Sequence, residues 1–131
     1  MYATASVLLV DDDEALSKIL AELLEFKGFQ VSSADNGLRG YITYLGHPTE
    51  FVLTDIQMPE LNGIEMIRCI RAINPAVQAI YMSGSCDRFR AELQVEEKQF
   101  AATLLSKPFS SGDLLKVMSG AAKQRPKHRS V

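Results

Sequence analysis

Five short apolar runs alternate with longer stretches in which apolar residues recur every three or four positions. A continuous apolar run is typical of a strand buried on both faces, whereas the wider spacing is typical of a helix with one buried side. Five repeats of this alternation predict an α/β fold, a doubly wound five-stranded parallel sheet flanked by five helices. The predicted strands cover residues 6–10, 30–34, 51–54, 77–82 and 102–106.

Residues that begin and end helices support this division of the chain. In the first helical stretch, apolar residues recur at positions 16, 19, 20, 23 and 24, and we expect Asp13 to cap the helix and Gly28 to end it. The second helix is predicted over about 36–47 and the third over 63–73. The fourth is predicted within 87–99, and the fifth follows 110–113 with an inner stripe of Leu114, Met118, Ala121 and Ala122.

Polar residues follow four of the predicted strands at the point where each strand ends. They are Asp11 and Asp12 after the first, Asp55 after the third, Ser83 after the fourth and Lys107 after the fifth. The carboxyl ends of parallel strands share one edge of the sheet, where such folds bind their ligands. Carboxylates held close together repel one another, so a divalent cation is the simplest compensation. Oxygen ligands suit a hard cation such as Mg²⁺.

These residue types suit phosphoryl transfer. A carboxylate beside a Mg²⁺ ion can attack phosphorus and form an acyl phosphate. The transfer requires positioning and charge neutralisation, to which Lys107 would contribute, while the Ser83 hydroxyl could bond a phosphoryl oxygen. Pro108 allows a cis peptide bond that would aim Lys107 into the site.

Each of these residues also has an ordinary structural explanation when taken alone. An aspartate after a strand is usually a helix cap, and Asp13 and Glu14 suit the first turn of a helix. Lys107 alone would be a surface lysine and Ser83 a turn serine. Their joint occurrence, in order and at the ends of four strands, favours a functional site.

The bulk composition excludes several classes of protein. A chain of 131 residues that is 47% hydrophobic and 23% charged is typical of one globular domain, and a net charge of −2 disfavours a nucleic-acid-binding surface. Cys69 and Cys86 lack metal-ligand spacing and suggest a reducing cytoplasm without a disulfide framework. Neither a membrane span nor a signal peptide is predicted, so we expect a cytoplasmic protein.

Four ordered motifs resemble the receiver domain of two-component response regulators, in particular the single-domain, chemotaxis-regulator type. The resemblance covers about residues 5–122, and a loose basic tail is expected over 123–131. It implies the flavodoxin-like fold with strand order 2-1-3-4-5. The motifs are Val10–Asp13, Asp55–Pro59 followed by Asn62-Gly63, Tyr81–Gly84 and Lys107–Phe109.

The resemblance also implies a role for each site residue. Asp55 would accept the phosphoryl group and would also bind Mg²⁺. The other ligands of the ion would be Asp12 directly, Asp11 through water or hydrogen bonding, and the backbone carbonyl of Gln57. Ser83 and Lys107 would contact the phosphoryl group in the active state. The donor would be a phosphohistidine on a sensor histidine kinase or a histidine phosphotransfer protein. The chain would catalyse only its own phosphorylation and dephosphorylation, and would then change its binding to a downstream protein.

Two departures from the family pattern change these expectations. Members often carry Tyr or Phe three residues before the lysine as a rotating switch, whereas this chain has Leu104. Gln57 and Ser85 occupy positions that tune the phosphoryl lifetime in the family. Movement of Ser83 and the following loop is then the expected link to the surface formed by the fourth helix, fifth strand and fifth helix.

Several alternatives remain open at this point. The chain ends soon after the predicted fifth helix, so it is either a stand-alone receiver or a piece of a larger regulator or hybrid kinase. Other functions are a Mg²⁺-dependent phosphohydrolase, a nucleotide-binding module and a pseudo-receiver that binds partners constitutively. Gln57 replaces the acid that a phosphohydrolase would carry, and no glycine-rich phosphate-binding motif is present. We expect no direct contact with nucleic acid or membrane; the cognate kinase, the output partner and the oligomeric state are left open.

Overall fold

The computed structural model describes residues 5–84 and 86–124, and it has the predicted alternation of strands and helices. The first half contains β1 (Ser6–Val10), α1 (Glu14–Phe26), β2 (Gln30–Ala34), α2 (Gly37–Gly46), β3 (Phe51–Asp55) and α3 (Gly63–Arg71). The second half contains β4 (Gln78–Ser83), a short 3-10 helix (Cys86–Phe89), α4 (Arg90–Gln99), β5 (Ala102–Ser106) and α5 (Ser111–Gln124).

The five strands form one parallel sheet in the order β2-β1-β3-β4-β5, which confirms the predicted fold class and strand order. The register aligns the carboxyl ends of the strands. Val10 pairs with both Ala34 and Thr54, Asp55 pairs with Met82, and Ser83 pairs with Ser106. The residues that follow β1, β3, β4 and β5 therefore leave the sheet at the same edge.

Alternate residues of the central strands supply two separate hydrophobic cores, one on each face of the sheet. Val7, Leu9, Leu53, Ile80 and Met82 pack under α1 and α5 together with Leu20, Leu24, Leu114 and Met118. Leu8, Val10, Val52 and Tyr81 pack on the opposite face with Ile64, Ile67, Ile70 and Leu93. This burial on both faces explains why β1, β3 and β4 appear as continuous apolar runs.

The helix ends follow the predicted signals with two differences. Asp13 caps α1, its carboxylate accepting the Leu16 N–H at 3.1 Å, and Gly28 follows the helix with a φ of 100°. The third helix was expected to reach Ile73 but ends at Arg71. The Ile73 and Asn74 N–H groups both donate to the Ile70 carbonyl, a tight turn that ends the helix early. The fifth helix is predicted to follow Asp113 but begins at Ser111, because the Ser110 hydroxyl caps it by accepting the Asp113 N–H at 3.0 Å.

Some expectations fall outside what the structure describes. The side chains of Ala121 and Ala122, and the tail from residue 125 onward, lie outside the described residues. The fifth helix itself continues to Gln124, two residues beyond the predicted end of the domain. Among the described residues, none of the helices has the length and apolar character that crossing a membrane requires.

Candidate functional site

Three carboxylates converge at the carboxyl edge of the sheet, as the sequence predicted. Asp11 and Asp12 follow β1, and Asp55 ends β3. Each offers one carboxylate oxygen, and these three oxygens lie within 4.8 Å of one another. The Asp11 side chain has no solvent exposure, that of Asp55 is 13% exposed, and Asp12 is exposed. The cluster is therefore anchored inside the protein and open to solvent on one side.

Lys107 reaches this cluster from the end of β5. Its ammonium nitrogen lies 3.6 Å from Asp11 Oδ2 and 3.6 Å from Asp55 Oδ1, so it bridges the two less exposed acids. Its backbone N–H donates to the Ser83 carbonyl at 2.9 Å, and its peptide bond to Pro108 is cis, as the sequence suggested. Three carboxylates and one ammonium leave a formal charge of −2 at the site.

Burial is the largest influence on the acidity of Asp11 and Asp55, and it raises the pKa of both carboxyls above the usual value. A hydrogen bond from the Asp13 N–H and the charge of Lys107 act in the opposite direction on the pKa of Asp11. For Asp55, Lys107 lowers the pKa while the charges of Asp11 and Asp12 raise it. Ionised carboxylates are thus held together at a cost that a cation would remove.

The donor set fits a hard divalent cation. Asp11 Oδ1 already accepts the Asp13 N–H at 2.9 Å, while the buried Oδ2 makes no hydrogen bond and lies 3.6 Å from the Lys107 ammonium. One ammonium compensates three carboxylates only in part, so a further cation would stabilise the cluster. Carboxylates with one solvent-accessible side match the preference of Mg²⁺ for one or two acids and several waters. Asp11, Asp12 and Asp55 could therefore hold this ion.

Ser83 ends β4 and Gln57 lies two residues after Asp55, so both belong to the carboxyl edge of the sheet. Ser83 is the buried last residue of β4, next to the β3 end, where the Ile56 N–H donates to the Met82 carbonyl at 3.1 Å. Gln57 is exposed in the loop after β3 and lines a cavity of about 380 Å³ with Arg88 and Phe89. The carbonyl of Gln57 as a metal ligand stays a prediction, and Ser85 lies outside the described residues.

The backbone around Asp55 is held by Thr54 and Gly63, whose contacts are not evident from the sequence. The Thr54 hydroxyl donates to the Asp55 carbonyl at 2.9 Å. The Gly63 N–H donates to the Ile56 carbonyl at 2.9 Å, which brings the start of α3 against the strand end. A Cβ atom on Gly63 would lie 2.3 Å from the Asp55 carbonyl oxygen, so only glycine permits this approach. The Asn62-Gly63 pair that follows the Asp55–Pro59 motif was the only sequence feature that pointed to this close approach.

Comparisons with known proteins show similarity over most of the chain. The sequence model of the response regulator receiver domain family matches residues 7–119 of this chain. The transcriptional regulatory protein CpxR homolog of Haemophilus influenzae is 36% identical over 114 residues, covering 85% of this chain and 47% of that protein. The response regulator receiver protein CpdR of Brucella abortus is 34% identical over 111 residues, covering 83% of this chain and 89% of that protein. The chain thus spans about half of the first relative and most of the second.

Solved structures show the same fold. The crystal structure of a response regulator receiver domain protein from Clostridium thermocellum matches with a TM-score of 0.80 at 28% identity. The match covers 92% of this chain and 95% of that one. The similarity therefore extends through the whole sheet and its flanking helices.

Proposed function

Because this chain belongs to the response regulator receiver domain family, we propose that Asp55 is its phosphoacceptor in two-component signalling. Receiver domains accept phosphate from histidine kinases, bind Mg²⁺ at an acidic pocket and act on downstream partners. They are typically not true enzymes. For this chain, the proposed donor is a phosphohistidine on a sensor histidine kinase or a histidine phosphotransfer protein. The phosphorylated form would then change its binding to a downstream protein.

In the proposed reaction, a carboxylate oxygen of Asp55 attacks the phosphorus atom of the donor. An O–P bond forms as the P–N bond to the donor imidazole breaks, and the electron pair of that bond leaves with the imidazole nitrogen. The bound Mg²⁺ would supply charge neutralisation for the phosphoryl oxygens. Asp11, Asp12, Asp55 and the Gln57 carbonyl would hold the ion. The Lys107 ammonium would pair with the phosphoryl group.

The observation that carries this proposal is the Lys107 ammonium placed 3.6 Å from both Asp55 and Asp11, beside Asp12. Among the three acids, Asp55 suits the acceptor role best. Asp11 is fully buried, with one oxygen held by the Asp13 N–H, and Asp12 is exposed. Asp55 combines partial exposure with direct contact to the lysine, so a phosphoryl group formed there remains within reach of a positive charge.

Intact mass spectrometry after incubation with Mg²⁺ and acetyl phosphate tests the proposal. Wild type should gain one phosphoryl group, and Asp55→Asn should gain none. Asp35→Asn is the matched control, because Asp35 also follows a strand end but lies exposed and pairs with Arg39 at 3.6 Å. This control should gain the group as wild type does. A phosphoryl group retained in Asp55→Asn would place the acceptor elsewhere, and no gain in wild type would contradict the receiver function.

A further inference from the structure

The fourth helix is held to the domain by unusually little apolar packing. Leu93 and Glu96 are its only buried side chains, and no side-chain hydrogen bond caps its start. Val95 is half exposed. Apolar burial is the main favourable term in helix packing. Apart from Phe89, which directly precedes the helix, Leu93 alone supplies such burial, so the position of α4 is weakly specified by apolar contacts. The second buried side chain, a glutamate, must therefore contribute to placing this helix.

Glu96 is 3% exposed and is held by two partners from other elements. Arg71, on α3, places its Nε 3.4 Å from Glu96 Oε1. The hydroxyl of Tyr81, on β4, donates to the same oxygen at 3.0 Å. We refer to the side chains of Arg71, Glu96 and Tyr81 as the Arg71 network. A buried charge is costly unless it is paired, so Glu96 must lie where Arg71 and Tyr81 can reach it.

Arg71 extends the network to the segment before β4 and to the segment after α4. The side chain is 5% exposed, and its guanidinium donates to the Pro75, Val77 and Ala101 carbonyls at 3.2, 2.9 and 3.2 Å. It also lies 4.2 Å from the centre of the Phe100 ring. The same group therefore contacts the chain before β4 and the chain between α4 and β5. The planar guanidinium can meet these partners together only in one arrangement.

Tyr81 connects the network to the phosphoryl site. It is fully buried and lies two residues before Ser83, on the same face of β4. Its register partner on β5 is Leu104, the position at which family members often carry an aromatic residue. Burial and the charge of Glu96 raise the pKa of the Tyr81 hydroxyl, which keeps its proton and remains a donor. The network thus includes a residue of β4, the strand that ends at Ser83.

We propose that the Arg71 network fixes α4 in the unphosphorylated protein and that phosphorylation of Asp55 acts on the α4 surface by rearranging this network. The inference rests on the proposed function for its second part. Leaving a buried charge without its partner is costly, so the ion pair with its shared hydrogen bond favours a few discrete arrangements of α4. Movement of Ser83 displaces the adjoining β4 residues, and Tyr81 is the residue through which that displacement reaches Glu96.

Amide hydrogen exchange across residues 90–99, measured with and without Mg²⁺ and beryllofluoride, tests the proposal. Tyr81→Phe removes one hydroxyl and keeps the buried ring. Loss of a hydrogen bond to a charged acceptor should accelerate α4 exchange by about tenfold in the protein without beryllofluoride. Beryllofluoride should then change α4 exchange less in Tyr81→Phe than in wild type.

Glu92→Gln is the matched control. Glu92 also lies on α4 and pairs with an arginine of α3, but its 4.0 Å contact with Arg68 is exposed. Such a pair contributes little, so this variant should exchange within about twofold of wild type. Equal exchange in Tyr81→Phe and Glu92→Gln would overturn the proposal. Equal acceleration in β3 and α4 of Tyr81→Phe would also overturn it, because the network would then stabilise the whole domain.

The two parts of the experiment separate this inference from the proposed function. Amide exchange measured without beryllofluoride reports how strongly the Arg71 network stabilises α4, and this measurement does not require phosphorylation. Failure of wild type to gain a phosphoryl group would contradict the proposed function. The exchange measured without beryllofluoride would still decide whether the Arg71 network fixes α4. Normal phosphorylation of wild type with no change in α4 exchange on beryllofluoride would overturn the coupling alone.

Discussion

Replacing Gly63 by alanine tests how closely α3 must approach the phosphoacceptor strand. The new Cβ would lie 2.3 Å from the Asp55 carbonyl oxygen and 3.1 Å from the Ile56 Cα. Both are backbone atoms, so no side-chain rotation can relieve the contact. The start of α3 must therefore move away from the end of β3, and this movement stretches the 2.9 Å hydrogen bond from the Gly63 N–H to the Ile56 carbonyl.

Three effects set the size of the change in stability. Overpacking of a close contact costs about 1–3 kcal/mol. Weakening the backbone hydrogen bond adds about 0.5–1.5 kcal/mol. The alanine lowers the entropy of the unfolded chain, which offsets about 0.4–1 kcal/mol. The expected net result is a decrease of about 0.5–4 kcal/mol in the free energy of unfolding.

Urea denaturation of Gly63→Ala and Gly46→Ala measures this effect against a matched control. Gly46 is the last residue of α2, and a Cβ there would meet nothing within 4 Å. Gly46→Ala should therefore unfold at the same urea concentration as wild type or slightly above it. Gly63→Ala should also gain its phosphoryl group more slowly, because the Asp55 backbone is displaced. Equal unfolding of the two variants, with equal phosphorylation rates, would refute the close-approach argument.

Three further predictions concern the charged groups of the site. Burial raises the pKa of Asp11, so the folded protein binds more protons than the unfolded chain, and stability falls as pH rises from the usual aspartate range through the raised pKa. Metal-free Asp11→Asn should therefore be more stable than wild type at neutral pH, and the difference in stability should shrink toward about pH 4. Urea unfolding midpoints measured in EDTA test this expectation, and an Asp11→Asn variant less stable than wild type would contradict it. Lys107→Ala removes the ammonium 3.6 Å from Asp55, and α4 amide exchange should respond less to beryllofluoride; a normal response would exclude Lys107 from the switch. Asp12→Ala should weaken Mg²⁺ binding by about tenfold or more in calorimetric titration, and unchanged affinity would show that Asp12 is not a ligand.

Much of the site was predictable because its residues lie next to strong local patterns. A strand buried on both faces is recognisable from its apolar run, and the residue after it must lie at the sheet edge. Asp11, Asp55 and Lys107 were located in this way. Gly63 was recognised within a motif, but its role was not, because the distance from its Cβ position to the Asp55 carbonyl depends on how α3 packs.

The Arg71 network could not be predicted from the sequence. Arg71 and Glu96 are separated by 25 positions and both resemble charges on exposed helix faces. Nothing in their local spacing indicates that they are buried, because burial of a charge depends on partners supplied by other elements. Tyr81 belongs to an apolar run, so its ring was expected in the core, while its hydroxyl partner on α4 was not.

The sequence by itself determined the α/β class, the number and order of elements, and the set of residues at one edge of the sheet. These follow from periodicity and capping, which act over a few residues. The tertiary structure alone decided the 3.6 Å contacts of Lys107, the raised pKa of Asp11 and Asp55, the close approach of Gly63 and the anchoring of α4 by Glu96. Each depends on distances between elements and on exclusion of water, and these are set only when the helices pack against the sheet.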